Sequence, residues 1–177
     1  VVAEGKTVYE HTMDKKLLKR LLAFGKERGI ALGATMENGD YYTAPEEVER
    51  IDVLRWGETS RHFEDPMKLL ELPVRTLAYI GGPDRVRELE EHFPECKFFM
   101  FAGKTGADVV ENEASKAEGL KRLCEYYGMD LSQTVAFGDS MNDFEIVSRA
   151  GIGIAMGNSV EELKAAADYV TDPIDRD

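Results

Sequence analysis

The run Thr134-Val-Ala-Phe-Gly-Asp-Ser-Met-Asn-Asp143 sets two carboxylates, Asp139 and Asp143, around a short turn. An apolar stretch leads into Gly138 and a helix-forming stretch follows. The spacing therefore predicts Asp139 at the carboxyl end of a parallel strand, the edge at which open α/β sheets bind ligands. Two hard oxygen donors there suit Mg²⁺, which takes few protein ligands and keeps several waters. Ser140-x-x-Asp143 also spells a capping box, so residue types alone leave Asp143 as either a metal ligand or a helix cap.

A cation belongs to the same chemistry. Lys116 lies in Ser115-Lys-Ala-Glu118, a second capping-box pattern, which places it in the first turn of a helix. An ammonium group there faces the positive end of the helix dipole and is disfavoured by up to ~1 kcal/mol unless an anion lies close. A phosphate oxygen or a carboxylate would satisfy it, and Lys serves transferring phosphoryl groups as a point charge. If Lys116 and Asp139 serve one site, both must stand at the carboxyl edge of one sheet.

The elements that must position these groups fall into two rhythms. Strand Ala107 to Val110, helix Ser115 to Tyr127, strand Thr134 to Phe137, helix Met141 to Arg149, strand Ile152 to Ala155, helix Ser159 to Ala167 and strand Tyr169-Val170 alternate regularly. Such alternation implies a parallel sheet. Earlier residues mix hairpins with helices. Val1-Val2 and Thr7-Val8-Tyr9 flank a Glu4-Gly5 turn, and Ile30 to Met36 meets Tyr41 to Thr43 across Asn38-Gly39. Leu17, Leu18, Leu21 and Leu22 mark an amphipathic helix ending at Gly29. Helices are also expected from Pro45, from Pro66 and along Val86, Leu89 and Phe93, with strands over Val74 to Ile80 and Lys97 to Ala102. A boundary near residue 112 divides 1–111 from 112–177.

Composition narrows the function classes. The 177 residues carry 22 basic and 34 acidic side chains, a net charge of -12 that disfavours nucleic-acid partners. No apolar run approaches the ~20 residues needed to span a bilayer. The two cysteines, Cys96 and Cys124, form no framework and suggest a reducing, cytoplasmic setting. Histidines 11, 62 and 92 share no ligand spacing.

Lys116, then Gly138-Asp139-Ser-Met-Asn142-Asp143 with Asp139 23 positions after the lysine, then Ala155-Met-Gly157-Asn158-Ser and the tail Thr171-Asp-Pro-Ile-Asp-Arg-Asp177 resemble the haloacid dehalogenase superfamily, most closely its Cof-type phosphatases. The resemblance implies an α/β fold: a cap domain with a mixed or antiparallel sheet over 1–111, and a partial Rossmann-like parallel sheet over 112–177. It implies a Mg²⁺-dependent phosphohydrolase acting on a small phosphorylated metabolite, a sugar phosphate or similar, through a phosphoaspartyl intermediate. Asp139 and Asp143 would serve the metal, Lys116 the nucleophile and the phosphoryl oxygens, and Asn142 and Asn158 the phosphate. Trp56, His62 and Phe63 would lie in a cap loop near the substrate, Trp56 being equally readable as core.

The family's D-x-D-G-T-like nucleophile motif is absent from these residues. Asp175-Arg-Asp177 has the spelling D-x-D but no apolar strand before it. The opening Val1-Val2 reads as a cut from a longer chain, so the chain is expected to be inactive or nearly so alone and to self-associate through an incomplete core. A sugar phosphomutase, or a non-catalytic module that binds a metabolite or a partner, are the alternative readings.

Overall fold

A computed structural model describes residues 1–101 and 103–176. The chain divides into two compact units, a central one of His11–Asn112 and a terminal one of Val1–Glu10 with Glu113–Asp177.

The terminal unit begins with the hairpin β1 (Val2–Ala3) and β2 (Lys6–Thr7), turned through Glu4 and Gly5 at φ 51° and 75°. Positive φ at both turn residues matches the twist of a two-residue hairpin. The sequence reading grouped residues 1–10 with the cap segment. They belong instead with 113 onward, because their contacts run to residues far along the chain: the Tyr126 hydroxyl lies 3.4 Å from Glu4 Oε2.

The central unit folds around an antiparallel sheet of five strands. These are β3 (Ala31–Met36), β4 (Gly39–Tyr42), β5 (Leu77–Ile80), β6 (Cys96–Met100) and β7 (Gly106–Glu111), in the order β4-β3-β5-β7-β6. Helix α1 (Lys15–Arg28) starts at Asp14, whose carboxylate accepts the amides of Lys16 and Leu17, and stops at left-handed Gly29. Its leucines join Leu32, Leu77, Tyr79 and Val109 with α3 (Pro83–His92) in the larger core cluster. Helix α2 (Pro45–Trp56) buries Val48 and Ile51 against Ala31, Tyr42 and Ile80 on the other side.

Four expectations need correction. The strand expected at 107–110 does not open the parallel alternation: β7 pairs antiparallel with β5 on one side and β6 on the other. A central strand reads as a continuous apolar run whichever way its neighbours point. The strand expected from Val74 begins only at Leu77, and the turn from Pro66 is 3₁₀ (Pro66–Glu71). Trp56 ends helix α2 and is 69% exposed, so it is neither loop nor core. Ala102, the expected end of the 97–102 strand, lies outside the described residues.

The remainder of the terminal unit is parallel, in order β10-β9-β8, built from β8 (Val135–Gly138), β9 (Ile152–Ala155) and β10 (Tyr169–Val170). Helices α4 (Lys116–Tyr127), α5 (Phe144–Arg149) and α6 (Glu161–Ala166) complete it. Val147, Ala155 and Leu163 form its small core. The opposite sheet face is bare: Val135, Phe137, Ile152 and Tyr169 are 54, 63, 40 and 64% exposed. Among the described strands β8 pairs only with β9, so its other edge is open. No described helix is long and apolar enough to cross a membrane.

Close approach governs one position in the central sheet. A Cβ on Gly33 would stand 1.9 Å from the Tyr41 carbonyl oxygen, within the β3–β4 pair. Gly29, at φ 60°, has open space around it. Gly33→Ala should therefore cost more than about 2 kcal/mol by forcing strands apart, and Gly29→Ala about 1 kcal/mol from backbone strain alone. Urea unfolding followed by circular dichroism reads the two values, and equal costs would contradict this packing.

Candidate active site

Strand β8 delivers Asp139 to the carboxyl end of the parallel sheet, and the chain then turns through a 3₁₀ segment (Met141–Asp143) into α5. Gly138 makes the turn possible. A Cβ there would lie 2.5 Å from Asp143 Cβ and 2.9 Å from Val147 Cγ2, so only glycine lets Asp143 fold back under the strand. Asp143 Oδ2 accepts the backbone amides of Asp139 at 3.1 Å and Ser140 at 3.3 Å. Its Oδ1 accepts Lys116 Nζ at 2.5 Å.

Lys116 is the first residue of α4, whose N-cap Ser115 accepts the Glu118 amide at 3.0 Å. The anion that its position at a positive helix end calls for is Asp143. Lys116 Nζ also lies 3.4 Å from Asn142 Oδ1, an oxygen that accepts the Ser140 hydroxyl at 2.7 Å. The Asp143 side chain is 8% exposed and that of Lys116 52%, so the ammonium is anchored on one side and open on the other. Burial acts to raise the Asp143 carboxyl, but the hydrogen bonds from Lys116 and the two turn amides outweigh it and hold it below the usual carboxylate range.

The fold thus brings Lys116, Asn142 and Asp143 into contact and sets Asp139 beside them in the chain. Asp139 is exposed, and its carboxylate makes no hydrogen bond or ion pair with the described residues. Asn158 is exposed in the loop between β9 and α6, with no side-chain bond to Lys116 or Asp143. That loop is tied to the same sheet edge, since the Met156 amide donates to the Gly138 carbonyl at 2.9 Å. The tail supports it: Thr171 Oγ1 accepts the Gly157 amide at 3.2 Å, and a Cβ on Gly157 would meet Pro173 N at 2.4 Å. Ser140 and Thr171 were not singled out from sequence as positioning groups, although each lies within a quoted motif. Asp175 sits in a 3₁₀ turn (Ile174–Arg176) after no strand, and Asp177 lies outside the described residues.

Of the two carboxylates expected at a metal, only Asp139 has free oxygens. Asp143 has both engaged, and no group of three or more His, Cys, Asp or Glu side chains that could hold an ion occurs among the described residues. Asp139 fits a hard cation as a single ligand, with water completing the shell. An open ammonium next to a free carboxylate at the end of a parallel strand offers one group for an anion and one for a cation, and the two carboxylates against one ammonium call for the cation.

The fold is that of an α/β protein, with a parallel sheet in one unit and an antiparallel sheet in the other. The chain belongs to the haloacid dehalogenase-like hydrolases, whose family model matches residues 1–177. YkrA of Bacillus subtilis is 30% identical over 100% of this chain and 68% of its own length. The structure of the subclass IIB sugar phosphatase BT4131 superposes with a TM-score of 0.77 at 26% identity, covering 95% of this chain and 65% of that one. The phosphatase BT1666 of Bacteroides thetaiotaomicron shares the fold with a TM-score of 0.85 at 23% identity, over 98% of this chain and 65% of its own. The chain spans about two thirds of the length of these proteins.

Because the Asp143 carboxyl is depressed in the folded state, its stabilising contribution is present above its unfolded value near pH 4 and is lost as pH falls through the folded value. Wild-type protein should therefore lose more stability between pH 5.5 and pH 3 than Asp143→Asn does, as read from thermal midpoints. Parallel losses in the two proteins would contradict the pairing.

Proposed function

We propose that this chain carries most of a Mg²⁺-dependent phosphatase for a small phosphorylated metabolite, with the phosphate bound at the turn after β8. The observation that carries the reading is the half-exposed Lys116 ammonium held on Asp143 beside the free carboxylate of Asp139. Lys116 is the group for the phosphoryl oxygens, with Asn142 on its flank and Asn158 in the neighbouring loop. Asp139 is the ligand for the cation, which when bound supplies positive charge against the phosphate. Asp143 is the second acidic residue of the metal site: its Oδ1 accepts only the lysine and keeps a lone pair for the cation, while its bonds hold Lys116 and the turn in place. The central unit acts as the cap that governs which metabolite enters. Cys96 and Cys124, buried and in no disulfide, agree with residence in the cytoplasm.

Phosphoryl transfer to an aspartate needs a carboxylate aligned for attack. Asp139 is assigned to the metal and Asp143 is neutralised, so the nucleophile must come from a further segment, as the family's D-x-D-G-T-like motif implies. The open edge of β8 and the bare face of Val135, Phe137, Ile152 and Tyr169 suit an added strand and its covering chain, and without them favour self-association.

The test is Mg²⁺-dependent release of phosphate from p-nitrophenyl phosphate. The 177-residue chain should run near background, and the chain supplied with a D-x-D-G-T-bearing strand segment roughly 10³-fold faster or more. In that active form Lys116→Ala should lower turnover ~10²- to 10³-fold, and Asp139→Asn should raise the Mg²⁺ concentration required. Comparable turnover by the short chain, or unchanged kinetics in both variants, would overturn the assignment.

A further inference from the structure

The central unit holds a cavity that the phosphate chemistry leaves unused. It is a shallow, open cleft of about 390 Å³ whose lining includes Asp40, Asp52, Trp56, Glu58, Ser60 and Arg61. Its floor is rigid. Arg61 Nε donates to Asp52 Oδ2 at 2.6 Å and Nη2 to Asp52 Oδ1 at 3.2 Å. Arg61 Nη1 donates to Asp40 Oδ1 at 2.9 Å and Thr35 Oγ1 at 3.0 Å. Both aspartates are buried, and Tyr42 lies with its ring 5.8 Å from the guanidinium. This network arrives at the cavity already ordered, so a ligand need not organise it.

Two features of the rim point to the ligand. Trp56, the chain's only tryptophan, is 69% exposed at the end of α2, with the Arg55 guanidinium 5.1 Å from its ring. An indole left in water beside a cavity forgoes much of the stabilisation that burying it would bring, and such side chains commonly serve as binding platforms. The charge is also unbalanced: three carboxylates, those of Asp40, Asp52 and Glu58, stand against the guanidinium groups of Arg61 and Arg55, and Glu58 makes no hydrogen bond or ion pair with the described residues. That excess favours a cation over an anion. A cation gains from both the indole face and the free carboxylate.

We propose that this cavity binds a small organic ammonium group, its charge shared between the face of Trp56 and the carboxylate of Glu58 above the Arg61 floor. An ammonium with a polar substituent also finds the Ser60 hydroxyl at hand. The proposal concerns the central unit alone and stands or falls independently of the phosphatase reading.

Because Trp56 is the only tryptophan, intrinsic tryptophan emission reports this cavity and nothing else. The emission should change saturably with choline. The neutral isostere 3,3-dimethylbutan-1-ol, which keeps shape and apolar surface but lacks the charge, should bind at least ~10-fold more weakly. Inorganic phosphate should leave the emission unchanged. Glu58→Gln removes an exposed, unbonded charge and should fold as the wild type does by far-UV circular dichroism, yet bind choline severalfold more weakly; added salt should weaken wild-type binding in the same direction. Equal affinity for choline and the isostere would reduce the cavity to an apolar patch. Absence of saturation with choline, or unchanged choline affinity in folded Glu58→Gln, would also overturn the proposal.

Discussion

Lys116 and Asp143, bonded at 2.5 Å, tie the start of α4 to the turn that follows β8, and the site is arranged around that bond. Asp143 is buried and would be costly as an isolated charge. It is tolerated because Lys116 and the amides of Asp139 and Ser140 satisfy both of its oxygens. Those amides in turn fix the turn in which Asp139 projects, free, toward solvent. One side chain therefore neutralises itself, orders its loop and positions its neighbour. Gly138 is the steric condition for all of it, since any side chain there would collide with Asp143.

Much of this arrangement was legible in the residues. Ser115 before Lys116 spelled a helix start, and an ammonium at a positive helix end required an anion nearby; that anion is Asp143. The cap reading of Asp143 is seen in the Ser140 amide that its carboxylate accepts, whereas its bond to a lysine 27 residues away was not legible, because sequence patterns show only a carboxylate's local partners. The link between the Gly157 loop and Thr171 was equally invisible, being a contact between two irregular segments. In the fold, helix α1 and the hairpins were readable from periodicity and turn residues. The 106–111 strand was assigned to the wrong sheet because burial on both faces erases the alternation that reveals an antiparallel strand. Residues 1–10 were misplaced because a short hairpin carries no sequence record of which distant helix it will meet.

The two units differ in the charges they present. The terminal unit offers an ammonium group and a free carboxylate at a strand end, whereas the cavity of the central unit is lined by three acidic residues and one arginine. In the proposed reading an anionic phosphate goes to the first, where a cation on Asp139 would offset the carboxylates, and not to the second. The antiparallel unit packs its sheet between α2 on one side and α1 with α3 on the other, so it carries an ample core. The parallel sheet has only three described strands and one covered face, which limits its stability and leaves Phe137 and Tyr169 in water. The matched haloacid dehalogenase-like proteins are about half as long again as this chain.

The central claim is that the turn after β8 is a phosphate site built on Lys116 and Asp139, and binding tests it without requiring turnover. Inorganic phosphate titrated with this chain and followed by ³¹P NMR should broaden when Mg²⁺ is present. The broadening should fall sharply in Lys116→Ala and should lose its Mg²⁺ dependence in Asp139→Asn. Broadening of the same size in wild type and both variants would contradict the account and move the phosphate elsewhere.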